Sequence, residues 1–173
     1  YTGFTISGLQ NSETATSVTS VFSVLGSAAT DNAGTVGSVS ISALTGGTFN
    51  AANYTIGYNS AAVNVTPRTL NINANNVSKT TGAVLTGGSG STDFVATGLQ
   101  NGETAGTVTV AYGTGAAATD PVGTTVGGVT LSSITGGTIN ASNYAITYTG
   151  TDLNVTPRTL NINANNVSKT TGT

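Results

Sequence analysis

Few side chains in this sequence have the chemistry to act on anything, and most of them come in matched pairs. Glu13 and Glu103 follow the same Gly-Leu-Gln-Asn stretch, Lys79 and Lys169 are the two lysines, and Asp31 and Asp120 fall in similar small-residue loops. There is no His and no Cys, so the commonest metal ligands and nucleophile–base pairs are absent. The acids have two plausible uses: accepting backbone N–H groups in a turn, or holding calcium between modules. Calcium takes about six to eight oxygens, several of them carboxylates. Six Asp and Glu in all, none of them clustered, favour the turn role, so no cofactor is expected and calcium is the one ion worth weighing.

Lys79, with many Asn around it and Glu103 in the same repeat, brings to mind the Lys–Asn amide bond of some surface adhesin domains. An exposed loop lysine that aids solubility is the plainer reading. Tyr54, Tyr58, Tyr144 and Tyr148 could stack on sugar rings. Their spacing along a strand puts them on one face with Ile56 or Ile146, which reads as core packing. Thr107, Thr109, Thr147 and Thr149 lack the many regular ranks of an ice-binding surface. The sequons at Asn53, Asn64, Asn76, Asn140, Asn154 and Asn166 are what a chain rich in Asn, Ser and Thr produces by chance. With no Ser-His-Asp set and no phosphate loop, the chain reads as a non-enzyme.

Composition narrows the partners as well. Charged residues make up 6% of the chain, against roughly 25% in an ordinary domain. A net charge of −2 with no basic cluster excludes nucleic acid as the natural partner. No run approaches the ~18 apolar residues of a membrane span. The absence of Cys removes a disulfide framework. The chain opens at Tyr1 in mid-pattern, without an initiator Met or a signal peptide, and so reads as a window of a longer protein.

The elements that must position these residues are set by a repeat. NVTPRTLNINANNVSKTTG at 64–82 recurs unchanged at 154–172, an offset of 90, and such a period marks one small unit used repeatedly. Phe4 and Ile6, like Phe94 and Ala96, alternate with polar or outward residues, as a half-buried strand does. The turn that follows is Asn11-Ser12 in one copy and Asn101-Gly102 in the other; Asn-Gly supplies the positive φ a tight turn needs. Further strands are expected around Val18 and Phe22, Val39 and Ile41, residues 53–58, and Val63 and Val65, each with its counterpart 90 residues on. The loop between 28 and 37, or 116 and 127, varies between copies, and Pro121 appears only in the second. No apolar stripe of helical period lasts ten residues. The expected fold is all-β: tandem small β-sandwich modules of about 90 residues, immunoglobulin-like, with β-grasp as the alternative.

The repeated segment straddles a junction. Pro67 and Pro157 end a strand, because proline offers no ladder donor, and only Arg68 or Arg158 separates each from the next strand. Leu70, Ile72 and Ala74 face one way there, and Asn71, Asn73 and Asn75 the other. The domains are therefore 1–67, a module lacking its first strand; 68–157, a complete module; and 158–173, the first strand of a following or partner module. Thr159, Leu160, Asn161, Ile162, Asn163 and Ala164 are the candidate inter-module or inter-subunit strand.

With the strands placed, the chain resembles the tandem MBG (mucin-binding glycine-rich) and related YDG repeats of giant bacterial surface adhesins. The resemblance rests on GLQNGETAGTVTVAY at 98–112, SNYAITYTGTDLNVTPRTLNI at 142–162 and NNVSKTTG at 75–82. Thr81 and Thr171 stand where that family often has Tyr, and Ser12 replaces the turn Gly in the first copy. The resemblance implies a secreted, cell-surface or extracellular-matrix array. The expected function is a stalk or spacer repeat. The alternatives are a carbohydrate- or mucin-binding repeat, and a self-assembling filament joined by strand donation. Expected partners are neighbouring copies of the repeat and, for the binding alternative, host or matrix glycans; neither nucleic acid nor membrane insertion is expected.

Overall fold

A computed structural model describes residues 3–172, and it is all-β. Among the described residues the only helical pieces are single 3-10 turns at Ala51–Asn53 and Ala141–Asn143, each capped by the preceding Asn side chain. The chain divides into two compact units, Tyr1–Thr69 with Asn140–Ala145, and Leu70–Ile139 with Ile146–Thr173.

The first unit holds a three-stranded antiparallel sheet of β1 (Ser17–Phe22), β2 (Val36–Thr45) and β3 (Ala61–Asn64), in that order. Val18 and Val39 are its buried residues.

Two further sheets lie largely in the second unit. Its smaller sheet places β4 (Arg68–Ala74) between β7 (Phe94–Thr97) and β10 (Tyr144–Thr149). The larger sheet runs β5 (Val77–Thr80), β11 (Thr151–Thr156), β9 (Gly123–Gly137), β8 (Ala105–Tyr112) and β6 (Gly88–Ser91). Within it β5 runs parallel to β11, and the remaining pairs are antiparallel. Both sheets supply the core: Leu70 and Ile72 from β4, and Val108, Val129, Leu131, Leu153 and Val155 from the larger sheet. The alternation LNIN in β4 accounts for this, since period 2 sends every second side chain to one face.

Strands expected at Phe4–Ile6 and at 53–58 do not form in the first unit: residues 3–10 and 54–60 belong to no helix or strand. Their counterparts in the second unit, β7 and β10, do form. The physical reason lies in β4. It is the middle strand of its sheet, and β7 and β10 lie on either side of it, not beside one another. A strand is a strand only when its N–H and C=O groups have a ladder partner. Among the described residues of the first unit, nothing takes the place that β4 takes in the second, so alternation alone does not make these segments strands.

Candidate functional site

The polar side chains singled out in the sequence are used locally, and mostly twice. After the Gln10 turn, the Glu13 amide donates to the Gln10 carbonyl at 2.9 Å, and the Glu103 amide donates to the Gln100 carbonyl at 2.9 Å. Both turns need left-handed residues: Asn11 and Ser12 have φ of 53° and 61°, Asn101 and Gly102 of 53° and 70°. Glycine tolerates that conformation at no steric cost, whereas Ser12 does not. The Glu13 carboxylate accepts a hydrogen bond from the Tyr54 hydroxyl, which itself accepts from the Gln10 amide at 3.1 Å. The bond to Glu13 holds the Tyr54 phenol above its ordinary range, because a proton shared with an anion is harder to remove.

Asp31 and Asp120 are loop caps. Their Oδ2 atoms accept the amides of Ala28 at 2.8 Å and Ala117 at 2.7 Å, closing equivalent three-residue loops. Among the described residues no group of three or more His, Cys, Asp or Glu gathers where a metal could sit.

The tyrosines at the ends of the two Asn-Tyr-x-Ile-x-Tyr stretches do something the sequence did not reveal. The β1–β2 ladder slips between Ser17↔Thr45 and Thr19↔Ser42, and the β8–β9 ladder slips at the equivalent place, between Thr107↔Thr135 and Thr109↔Ser132. Each slip is a bulge, with Ala43 at φ 48° or Ser133 at φ 49°. A bulge removes an amide from the ladder. The Leu44 amide donates to the Tyr58 hydroxyl at 2.9 Å, and the Ile134 amide to the Tyr148 hydroxyl at 2.8 Å. These phenols therefore cap bulges. No local signal marks such a role, because the partners are 14 residues apart and the bulge itself is not written in a motif.

Lys79 corrects the expectation of an exposed loop lysine. It lies on β5 and is 6% exposed. Its Nζ donates to the carbonyl of Ala83 at 3.0 Å and to that of Ala117. These two backbone acceptors make it a clasp between β5 and the loop that Asp120 caps. Alternation along β5 sends Val77 and Lys79 to the inward face and Ser78 and Thr80 outward.

The junction residues Pro67, Arg68, Pro157 and Arg158 are exposed. Thr159, Leu160, Asn161, Ile162, Asn163 and Ala164 belong to no helix or strand and are exposed, with Leu160 at 82% and Ile162 at 87%. Their sequence equivalents Leu70 and Ile72 are 0% exposed. The sequence of residues 68–82 thus occurs once as core strands, β4 and β5, and once, at 158–172, as an uncovered segment.

In the first unit, residues 3–9 and 54–61 flank two adjoining clefts of about 200 and 590 Å³, which share Phe4, Thr5, Ile41, Gly57 and Asn59. Val18, Val39 and Ile41 contribute to their lining. Ile41 is only half-buried, whereas its counterpart Leu131 is 8% exposed. These are the positions that flank β4 in the second unit, shifted by 90.

No protein-family model matches the chain, and neither a curated protein nor a solved structure matches it.

Proposed function

We propose that the chain is a run of structural repeat modules, a stalk or spacer of a secreted, cell-surface or matrix adhesin of the MBG and YDG type. In this reading each complete module is a small immunoglobulin-like β-sandwich that begins at Arg68 or Arg158 and ends at the next Pro. A β-grasp packs a helix across its sheet, and the longest helical piece among the described residues is three residues.

One observation carries the functional reading. The side chains with chemical potential are engaged in holding backbone, and the same devices recur 89 or 90 residues apart: Asp31 and Asp120 on loops, Tyr58 and Tyr148 on bulges, Asn50 and Asn140 on 3-10 turns. A unit whose polar groups are repeated to preserve shape is suited to transmit length, not to recognise a ligand. In this reading stiffness follows from Pro67 leading directly into β4 at Arg68.

The glycan-binding alternative needs exposed aromatic faces. The hydroxyls of Tyr54, Tyr58 and Tyr148 are engaged by backbone or by Glu13, and Tyr58, 39% exposed, is the one of these rings that glycan binding could use. The test is a mucin and glycan binding assay on several linked modules. Multivalency would raise weak per-module affinity into the detectable range. No binding is expected; retention on mucin that is lost in Tyr58→Ala or Tyr148→Ala modules of unchanged fold overturns the spacer reading.

A further inference from the structure

We propose that the seam between β5 and β11 is a mechanical clamp, and that the module 68–157 is built to hold when tension is drawn along the chain. The proposal rests on the spacer reading and deepens it by naming the strands that carry a spacer's load.

Chain direction decides how a ladder meets tension. The module begins at Arg68 and ends at Pro157, so a pull along the chain acts on β5 from its Val77 end, through β4, and on β11 from its Thr156 end. β5 runs parallel to β11, with Leu153↔Val77, Asn154↔Ser78, Val155↔Lys79 and Thr156↔Thr80. Val77 and Thr156 therefore lie at opposite ends of the seam. The two strands are drawn past one another along their own axes, and all four registered pairs are loaded together. Were the pair antiparallel, both pulls would act at one end and the bonds would open singly. Among the described residues, this is the one parallel pair of the larger sheet.

Three further bonds lengthen the seam. At one end the Thr151 hydroxyl donates to Asn76 Oδ1 at 3.2 Å. At the other the Thr156 hydroxyl donates to the Lys79 carbonyl at 3.1 Å, and the Thr81 amide to the Thr156 carbonyl at 2.9 Å. Leu153, Val155 and Lys79 are buried, so one face of the ladder is shielded from water that would compete for its bonds. β5 is anchored beyond the seam as well. The Lys79 ammonium holds the Ala83 and Ala117 carbonyls, the Gly82 amide donates to the Ala118 carbonyl at 3.1 Å, and the Leu85 amide to the Ala116 carbonyl at 3.0 Å. These bonds oppose the pull on β5. Release of β4 yields only its own length of slack, and the chain between Val77 and Thr156 stays closed until β5 leaves β11.

Forced unfolding reads the barrier and not the equilibrium, and single-molecule pulling on the whole chain can apply force in two directions. There is no native Cys, so the handles attach to introduced ones. Thr66→Cys with Arg158→Cys pulls along the chain and shears the seam. Thr80→Cys with Arg158→Cys grips both strands at one end and unzips it; all three positions are exposed. The expected result is one sharp main rupture for the first pair, at a force several-fold above the second and up to about fourfold, because four registered pairs give way together instead of in turn. Thr151→Val with Thr156→Val should lower the first force by roughly a quarter, since two of seven links across the seam are lost, four registered pairs and three further bonds making the seven. Equal forces in the two directions overturn the proposal. So does gradual extension at low force along the chain, or a double Val variant of unchanged circular dichroism that ruptures at the original force. The comparison of directions keeps Thr151 and Thr156, so it decides the matter even where the double variant does not fold. A chain that retains no mucin yet ruptures alike in both directions loses the clamp and keeps the spacer reading.

Discussion

Ile72 and Ile162 sit in identical sequence, and the same substitution at each should have very different consequences. Ile72 is fully buried on the middle strand of its sheet, as is Leu70 two positions before it. Ile72→Ala deletes most of a buried side chain from a site that cannot easily collapse, at a cost of about 2–5 kcal/mol. A module of this size has about 5–13 kcal/mol in all, at roughly 0.05–0.15 kcal/mol per residue. With a urea dependence of about 1 kcal/mol per molar for so small a unit, the midpoint of the second unit's transition should fall by about 2 M or more. Ile162 is 87% exposed, so Ile162→Ala should shift neither transition by more than about 0.5 kcal/mol in dilute solution. Urea unfolding followed by far-ultraviolet circular dichroism and tyrosine fluorescence measures both. Equal losses for the two variants, or no loss for Ile72→Ala, would refute the assignment of β4 as a core strand.

Four further outcomes are expected. Lys79→Met should destabilise the second unit by about 2–4 kcal/mol, because two carbonyls lose a charged donor, while Lys169→Met leaves dilute protein unchanged; both are read by urea unfolding. Tyr148→Phe should cost about 1–3 kcal/mol by orphaning the bulge amide of Ile134, with a parallel loss for Tyr58→Phe in the first unit, visible as faster amide exchange at Ile134 and Leu44. Ser12→Gly should stabilise the first unit by about 1 kcal/mol, since φ of 61° suits glycine, seen as a higher thermal midpoint. The phenol of Tyr54 is raised by its bond to Glu13; its contribution is therefore complete below the unfolded value near 10 and is lost as pH climbs through the higher folded value. Tyrosinate absorbance should lose a component that titrates above the ordinary tyrosine range in Tyr54→Phe.

Much of the architecture was legible from alternation and from the exact repeat. LNIN in β4, VGSVSIS in β2 and VTVAY in β8 read as strands because each hides one face. What the sequence did not reveal depends on partners far away in the chain. Residues 4–7 alternate as well as 94–97 do, yet only the latter pair, because a ladder requires a neighbour and alternation describes one strand alone. The clasp made by Lys79 and the bulge caps made by Tyr58 and Tyr148 are likewise long-range: Lys79 meets Ala117 across 38 residues. Charge pointed Lys79 outward, whereas its hydrogen bonds place it in the framework; the tyrosines read as core packing, with no sign of the bulge amides that their hydroxyls accept.

The most direct measurement is amide hydrogen exchange on the chain carrying an added copy of residues 68–82 ahead of Tyr1, compared with the chain as it stands. The added segment should bring slow exchange to residues 5–7 and 55–58, approaching that of Phe94–Thr97 and Tyr144–Thr149, and leave the second unit unchanged. Exchange that stays fast at 5–7 and 55–58 would contradict the claim that this repeated segment completes each module.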